Sequence, residues 1–316
     1  MRTVVVTGAN GFVGRTITRH LIAQGFRVRA IVRSEDARCA LISGAEIVGV
    51  GDMTARSDWR SLLRGASAIV HLAGRVHRMG DLEERAYFAE NVEVTKRLAL
   101  AARAEQLDHF VFFSSIKVNG ERTEDRPFSA EDSPHPQDAY GRSKLAAETE
   151  LLSLDGLSRI TIVRPPLVYG PGVGANFQKL MKLVASGIPL PFGRIHNRRS
   201  IVNVWNLADL VHAVLGLRDE GKEVLLVSDD EALSTPDLIR RIARSMNRRA
   251  RLLSAPLPLL NALARVTGRA RELSRLTDSL VVDMSRTRAS LDWSPPVSLD
   301  EGLVRTVKAF SETAPS

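Results

Sequence analysis

The sequence predicts an α/β fold in which a doubly wound parallel sheet is followed by a smaller C-terminal lobe. Short β-branched runs alternate with helical stretches over the first half, and the composition changes near residue 164. Alternating strands and helices with short connections favour a parallel sheet with right-handed crossovers. Sheets of this kind bind their ligands beyond the carboxyl ends of the strands.

The first half supplies six short apolar segments that are typical of buried strands. They cover residues 3–7, 27–32, 46–50, 68–72, 110–114 and 161–164. Helices are predicted to begin near Phe12, Glu35, Ser57, Arg85 and Asp138. The five loops that follow the first five strands therefore converge on one crevice, at Gly8, Arg33, Asp52, Ala73 and Ser114.

Prolines and glycines become frequent from residue 165 to 193, which predicts loops that cross the edge of the sheet. Later helices are predicted over residues 206–218, 235–246, 285–291 and 299–311. The second of these has Ser234 as its cap and Pro236 in its first turn. We therefore divide the chain into a sheet domain, 1–164, and a second lobe that takes most of 165–316, with some segments returning to the sheet.

The composition is that of an ordinary globular protein, with 44% hydrophobic and 25% charged residues in 316. No apolar stretch approaches the length of a membrane span. The chain enters its first strand without a signal peptide, and Cys39, its single cysteine, allows no intrachain disulfide. These features predict a cytoplasmic protein.

The net charge of +8 raises the question of an anionic partner. Nucleic acid is disfavoured because the arginines are scattered and are not interleaved with aromatic residues. Attraction of an anionic substrate is the more useful explanation. A membrane-surface site also stays open, since residues 256–266 are apolar and flanked by arginines.

A glycine-rich turn, Thr7-Gly8-Ala9-Asn10-Gly11-Phe12-Val13-Gly14, follows the first strand. Val13, Ile17 and Leu21 then recur at helical spacing. Glycine permits a tight turn and lets backbone N–H groups approach a pyrophosphate at the start of a helix. The spacing is G-x-x-G-x-x-G, which differs from the usual dinucleotide pattern. The context of strand, turn and helix still favours a dinucleotide site.

Tyr140 and Lys144 are one helical turn apart, and Ser115 lies 25 residues upstream of the tyrosine. An ammonium group beside a phenol favours the phenolate and lowers its pKa. Such a phenol can exchange a proton with a hydroxyl or carbonyl group, and a serine hydroxyl can hold the same oxygen. The alternative is a packed surface tyrosine, but the glycine turn in the same domain favours catalysis.

These motifs together resemble the extended short-chain dehydrogenase/reductase family, in its nucleotide-sugar epimerase and reductase branch. The resemblance spans almost the whole chain and extends to Leu72-Ala73-Gly74, Asn91, Arg164-Pro165 and residues 168–172 and 291–293. It implies that residues 1–164 form a Rossmann-like domain for NAD(P). It also implies that the second lobe holds a nucleoside-diphosphate sugar.

The resemblance assigns a role to each site residue. Catalysis is assigned to Ser115, Tyr140 and Lys144. Cofactor contacts are assigned to Gly8, Asn10, Gly11, Phe12, Val13, Gly14, Arg33, Asp52, Met53, Leu72, Ala73, Gly74, Asn91, Ser114, Tyr140, Lys144 and Pro165. Substrate contacts are assigned to Ser115, Asn176, Phe177, Phe192, Arg199 and Arg275. No metal site is expected, because His71 and His77 lack ligand spacing.

Arg33 ends the second strand, where relatives that prefer NAD carry an acidic residue. A guanidinium group can pair with a ribose 2′-phosphate. We therefore expect NADP(H) as the cofactor, with NAD(H) as the alternative. Because Arg27 and Arg29 lie in the same strand, the alternative that Arg33 is merely a solvated side chain also stays open.

The resemblance narrows the reaction. Sugar 4,6-dehydratases of this family carry an Asp-Glu pair where this chain has Ile116 and Lys117, which disfavours dehydration. Residues 114–120 and 197–200 are similar to UDP-4-keto-6-deoxy-N-acetylglucosamine 4-reductases and to UDP-glucose 4-epimerases. The expectation is NADPH-dependent 4-keto reduction of a UDP-deoxyhexosamine in surface-polysaccharide synthesis. A UDP-hexose 4-epimerase is the alternative, a dinucleotide-sensing regulator is a distant third, and a homodimer is left open.

Overall fold

The computed structural model describes residues 1–55, 58–75 and 83–313. Its main sheet has seven strands: β1 (Thr3–Thr7), β2 (Arg27–Val32), β3 (Glu46–Gly49), β4 (Ala68–His71), β5 (His109–Phe113), β6 (Arg159–Arg164) and β9 (Gly221–Leu226). The order is β3-β2-β1-β4-β5-β6-β9, and every neighbouring pair is parallel. The direction of winding reverses between β1 and β4, where such sheets bind ligands.

Helices cover both faces of this sheet, because successive side chains of a strand point to opposite sides. One face packs against α1 (Gly14–Ala23) and α7 (Val204–Gly216), and its core contains Val4 and Val6 of β1. The other face contains Val5. It packs against α2 (Arg60–Leu63), α4 (Val94–Ala104) and α5 (Ala139–Ser153), while the short α3 (Glu84–Phe88) precedes α4.

The second lobe has its own small sheet and a third hydrophobic core. The sheet order is β10-β8-β7, from β7 (Leu167–Tyr169), β8 (Arg199–Asn203) and β10 (Ala232–Leu233). The helices of this half are α6 (Ala175–Ala185), α8 (Thr235–Ser245), α9 (Leu257–Val266), α10 (Ala270–Thr277), α11 (Ser285–Leu291) and α12 (Leu299–Thr313). Phe177, Met181, Ile201, Ile239 and Leu303 are among the side chains of this core.

The structure confirms the six strands predicted in the first half, with ends that differ by at most two residues. The helix predicted near Glu35 is a 3₁₀ segment, Ala37–Ile42, and the start predicted at Ser57 lies outside the described residues. The predicted cap Ser234 accepts a hydrogen bond from the backbone N–H of Asp237. Asp138, near which a helix was predicted to begin, caps α5 by accepting one from the backbone N–H of Gly141.

The expectation of loops throughout residues 165–193 was wrong, because α6 lies inside that range. Residues 175–185 contain neither proline nor glycine, and they bury Phe177, Leu180, Met181 and Val184 on one face. Flanking prolines and glycines concealed this helical spacing. Strand β9 and helices α9 and α10 were also missed. No described helix is long and apolar enough to cross a membrane.

Two glycines of the turn after β1 are required by close backbone packing. Gly8 has a φ of +67°, and a Cβ there would stand 3.0 Å from the backbone nitrogen of Ala73. A Cβ on Gly14 would stand only 2.1 Å from the carbonyl oxygen of Gly8. Helix α1 can therefore begin directly against the turn only because residue 14 has no side chain.

We predict that Gly14→Ala lowers the free energy of unfolding by about 3 kcal/mol, because the added methyl group forces backbone atoms apart. Gly216→Ala is the matched control, since a Cβ at the end of α7 meets nothing within 4 Å. The control should be neutral or slightly stabilising. Urea unfolding of both variants measures the difference, and equal unfolding midpoints would contradict the packing argument.

Candidate active site

A cavity of about 390 Å³ opens between the sheet domain and the second lobe. Ser115, Ile116, Lys117 and Tyr140 line it from the first half of the chain. The second lobe contributes residues from α6, α8, α10 and β8. Three of the predicted site groups therefore meet: the Ser115 loop, the start of α5 and the lobe that was expected to hold the substrate.

The first turn of α5 places Tyr140 at the cavity. Asp138 caps this helix by accepting a hydrogen bond of 2.7 Å from the backbone N–H of Gly141. Lys117 forms ion pairs with Asp138 and Glu121. A Cβ on Gly141 would stand 3.0 Å from the carbonyl oxygen of Lys117. The loop after β5 thus packs directly on the first turn of α5.

This packing brings the side chains of Ser115 and Tyr140 to the same cavity wall. Burial raises the pKa of Tyr140 to about 12, the Ser115 hydroxyl opposes the rise, and Asp138 and Tyr87 add to it. The expectation of a lowered pKa for Tyr140 was therefore wrong for the chain alone. Desolvation of the phenolate outweighs the stabilisation expected from a nearby ammonium group.

Lys144 is buried behind Tyr140. Its Nζ donates a hydrogen bond of 2.9 Å to the carbonyl oxygen of Phe113 and lies 4.6 Å from the centre of the Phe112 ring. Burial lowers the pKa of Lys144 to about 8, and Glu148 opposes that shift. A Cβ on Gly74 would stand 3.6 Å from this Nζ, so the ammonium group borders the loop after β4.

Asn91 links three elements around the same point. It lies in a π-helical turn, Ala89–Glu93, and such turns are frequent at functional sites. Its side chain accepts a hydrogen bond of 2.8 Å from the backbone N–H of Arg75. It donates to the carbonyl oxygen of Arg75 and to the hydroxyl of Ser143. Asn91 thus holds the loop after β4 against α5.

The predicted cofactor residues lie at the carboxyl ends of neighbouring strands. The Thr7 hydroxyl accepts hydrogen bonds of 3.2 and 3.1 Å from the backbone N–H groups of Leu72 and Ala73, which ties the ends of β1 and β4 together. Ser114 directly follows β5 and Pro165 follows β6. The turn residues that precede or begin α1 are Gly8, Asn10, Gly11, Phe12, Val13 and Gly14.

The ends of β2 and β3 carry the residues that were expected to meet the adenosine. The Arg33 side chain is 71% exposed, and its Nη2 lies 3.2 Å from a carboxylate oxygen of Glu90. Asp52 accepts hydrogen bonds from the backbone N–H and the hydroxyl of Thr54, which lower the pKa of Asp52. Met53 packs against the core beside it. Arg33 is therefore accessible, but its charge is shared with Glu90.

A buried ion pair stands beneath the catalytic candidates. The Arg164 guanidinium lies 2.5 Å from a carboxylate oxygen of Glu148, and the two side chains are 4% and 1% exposed. The Ser114 hydroxyl also donates to Glu148, and Arg164 donates to the side chain of Asn119. Through these contacts α5, β6 and the loop after β5 share one polar cluster.

Five of the six substrate residues that the sequence predicted line the cavity: Ser115, Asn176, Phe177, Arg199 and Arg275. Arg199 and Arg275 also border a second, polar cavity. Burial lowers the pKa of Arg199, Asp278 opposes this, and Arg275 adds to it, so the two guanidinium groups repel each other. Two repelling cations beside a cavity form a favourable place for an anionic group.

Phe192 is the exception among the predicted substrate residues. It is 9% exposed, packs into the third hydrophobic core and is not among the described residues that line the cavity. The expectation that it stacks on a base is therefore wrong for this cavity. Phe177 does line the cavity, but its ring stacks on Tyr169 with centroids 5.4 Å apart.

Sequence reasoning missed two features of the site. The apolar walls formed by Leu180, Leu183 and Leu276 were missed because α6 and α10 were not predicted. Arg15, in the first turn of α1, donates a hydrogen bond to the carbonyl oxygen of Pro171 and so joins the glycine turn to the second lobe. No sequence signal separated it from the many other arginines.

Among the described residues, no histidine lines this cavity. His71 is fully buried and hydrogen-bonded to Thr7 and Thr95, and burial lowers its pKa to about 3. His77 lies outside the described residues. Away from the cavity, α1 and α7 bring His20, Asp209 and His212 together, with potential ligand atoms within 4.8 Å of one another. No sequence pattern indicated this last group.

We predict that Glu148→Gln destabilises the protein by roughly 3–5 kcal/mol, because it leaves the Arg164 charge buried without its partner. The double variant Glu148→Leu/Arg164→Met should recover most of that loss. Glu150→Gln is the control on the same helix, since its partially exposed pair with Lys96 should contribute less than about 1 kcal/mol. Urea unfolding of the four proteins tests this, and equal losses at positions 148 and 150 would contradict it.

The sequence was also compared with known proteins and protein families. The NAD dependent epimerase/dehydratase family matches residues 4–227. The UDP-glucose 4-epimerase of Vibrio cholerae is 37% identical and covers 98% of this chain and 95% of its own length. An Escherichia coli O157:H7 protein, N-acetyl-alpha-D-glucosaminyl-diphospho-ditrans,octacis-undecaprenol 4-epimerase, is 25% identical over 96% of this chain and 94% of its own.

A solved structure of low sequence identity supports the assignment of the fold and nothing beyond it. The UDP-glucuronic acid 4-epimerase from Bacillus cereus, in complex with NAD, superimposes with a TM-score of 0.80 at 22% identity, covering 99% of this chain and 97% of that one. The family match takes in the glycine turn, Ser115, Tyr140 and Lys144. The chain therefore belongs to the NAD-dependent epimerase/dehydratase family and is an enzyme of the extended short-chain dehydrogenase/reductase type.

Proposed function

We propose that the protein is a UDP-sugar 4-epimerase that oxidises and reduces the sugar at C4 with a nicotinamide cofactor. The observation that carries this proposal is that Ser115 and Tyr140 meet at the wall of the cavity, with Lys144 buried one helical turn beyond Tyr140. The full-length similarity to a UDP-glucose 4-epimerase supports the same chemistry.

The crevice at the strand ends fits a dinucleotide. A Cβ on Gly8 or Gly14 would meet backbone atoms, so the turn packs tightly at the start of α1, the kind of place where a pyrophosphate binds. Asp52 and Arg33 follow β3 and β2, where an adenosine would be held, and Lys144 borders Gly74, where the nicotinamide end would follow. When bound, NAD(P) supplies a hydride acceptor and a positively charged ring whose field favours the phenolate.

Side chains of the protein then transfer the proton at the C4 oxygen of the sugar. Tyr140 accepts it as the hydroxyl becomes a carbonyl and returns it in the reverse direction. Ser115 holds the same oxygen through its hydroxyl. Lys144, with its pKa lowered to about 8, places a mobile proton next to this pair near neutral pH. Because both directions use the same groups, the site can reduce either face of a keto sugar that rotates in the cavity.

The second lobe offers contacts for a nucleoside diphosphate. Arg199 and Arg275 stand together at the cavity and can share a diphosphate, whose charge would relieve their mutual repulsion. Asn176 supplies polar atoms for a base or ribose at the same wall. Leu180 and Leu276 exclude water around them.

We predict that Tyr140→Phe lowers kcat by at least about a hundredfold, because only the group that transfers the proton is removed. Binding of the cofactor, followed by protein fluorescence, should persist. Tyr87→Phe is the control, because it also removes a phenolic hydroxyl and the centres of the Tyr87 and Tyr140 rings are 6.1 Å apart. Near-normal turnover by Tyr140→Phe would remove the catalytic assignment.

Reduction of a UDP-4-keto-6-deoxy-hexosamine is the second candidate function, and Arg33 favours it. A reductase must take up and release its cofactor in each turnover, and cells supply reducing equivalents for biosynthesis mainly as NADPH. The exposed guanidinium of Arg33 can pair with a 2′-phosphate when it leaves Glu90. Ile116 and Lys117 at the cavity provide no acid–base pair for dehydration, so another enzyme would have to supply the keto sugar.

Cofactor stoichiometry separates the two candidates. We expect the protein to interconvert UDP-glucose or UDP-N-acetylglucosamine with its C4 epimer, with no net change in absorbance at the NADH wavelength and product identified by NMR. Incubation with a UDP-4-keto-6-deoxy sugar and NADPH is the second arm. Loss of one NADPH per keto sugar, with no epimerisation of the hydroxy sugars, would favour the reductase.

We predict that Arg33→Asp raises the preference for NADH over NADPH by at least about tenfold, because a carboxylate repels the 2′-phosphate that a guanidinium attracts. Arg38→Asp is the control, since Arg38 is an exposed arginine that pairs with Asp36 in the segment after β2. Titration of each variant with both cofactors gives the ratio of Kd values. An unchanged ratio would show that Arg33 does not contact the ribose.

A further inference from the structure

We propose that helix α9 docks the protein on an anionic membrane surface. The α9 patch is formed by Leu253, Leu257, Leu259, Leu263 and Val266, which are 57%, 41%, 63%, 60% and 87% exposed. Large apolar side chains that cluster in this way on a protein surface mark an interaction site. Only Leu260 and Ala264 of this helix are buried, so one narrow face attaches it to the lobe.

The segment that carries the α9 patch has positive charges and no negative ones. Residues 247–271 contain no aspartate or glutamate and six arginines: Arg248, Arg249, Arg251, Arg265, Arg269 and Arg271. All six are exposed, and none forms an ion pair within the described residues. Surface arginines elsewhere in the chain are often paired, as Arg240 is with Asp237. The segment therefore presents apolar side chains together with uncompensated positive charge.

This combination matches the chemistry of an anionic lipid surface. An interfacial helix buries its apolar side chains among the acyl chains while its basic side chains meet the headgroups. Phosphatidylglycerol or phosphatidylserine headgroups would attract the arginines, and salt would weaken that attraction. A second copy of this chain is a poorer occupant, because it would bring two strongly cationic segments together. A nucleic acid would use the charge but would leave the leucines exposed.

The position of the α9 patch connects it with the cavity. Helix α10 follows α9 after a short turn, and Glu272, Arg275 and Leu276 of α10 line the cavity. A protein bound through α9 would therefore hold this wall of its cavity close to the lipid surface. The docking surface depends only on the exposed residues of α9 and its flanks, so it does not rest on the proposed function.

Vesicle co-sedimentation of the full chain tests the proposal. We expect binding to phosphatidylcholine vesicles that contain about 30% phosphatidylglycerol, little binding to pure phosphatidylcholine, and release as NaCl rises from about 0.1 to 0.5 M. Leu259→Ser/Leu263→Ser should weaken binding by at least about tenfold, because two inserted side chains are lost. Arg265→Gln/Arg269→Gln should weaken it most at low salt.

Leu41→Ser/Val304→Ser is the matched control, since these side chains are 46% and 52% exposed but lie outside the α9 patch. Its vesicle binding should equal that of the unchanged protein, and thermal unfolding should show that every variant is folded. Equal loss in the control and the α9 variants would overturn the proposal, as would equal binding to neutral vesicles. So would a dimer, seen in analytical ultracentrifugation, that the α9 substitutions disperse, or oligonucleotide binding that survives them without any vesicle binding.

Discussion

The ion pair between Glu148 and Arg164 is the constraint on which the site depends. Glu148 is the third member of a row on α5 that begins with Tyr140 and Lys144, and each member is four positions after the previous one. Arg164 ends β6, and Ser114 donates to the same carboxylate from the end of β5. Because neither buried charge is tolerable without the other, α5 has a single favourable position relative to both strands. That position brings Tyr140 to Ser115.

The site is therefore assembled from loops that the sheet order alone makes neighbours. The winding reverses between β1 and β4, so the glycine turn and the loop after β4 meet in one crevice. Asn91 then fastens that loop to α5 through Ser143. The chain alone keeps Tyr140 protonated and lowers the pKa of Lys144. Tyr140 is therefore a proton donor, and the nearby ammonium group of Lys144 readily loses its proton. The charges of bound ligands would then act on these two groups as well.

In the proposed function, the second lobe would supply the selectivity for the substrate. Helices α6 and α10 bring leucines to the cavity, while Arg199 and Arg275 offer positive charge at its polar side. Arg15 joins the lobe to the first turn of α1, so the two halves of the cleft are held in register. The α9 patch extends the same lobe outward, which would place substrate selection and surface attachment within one structural unit.

The sequence by itself determined the strands of the first half, the glycine turn, the start of α5 and the spacing of Tyr140 and Lys144. These features follow from local preferences: apolar runs, glycine at a turn, capping side chains and the period of a helix. Local patterns were also sufficient to bring five strand ends to one crevice, since parallel strands share an edge.

Only the tertiary structure decided the burial of Phe192, the entry of β9 into the main sheet and the ionisation of Tyr140. It also paired Arg33 with Glu90, 57 residues away along the chain. Each of these depends on contacts between residues that are distant in sequence, and desolvation in particular is set by everything that surrounds a group. The sequence could name the phenol of Tyr140, but only the folded environment fixed its pKa at about 12.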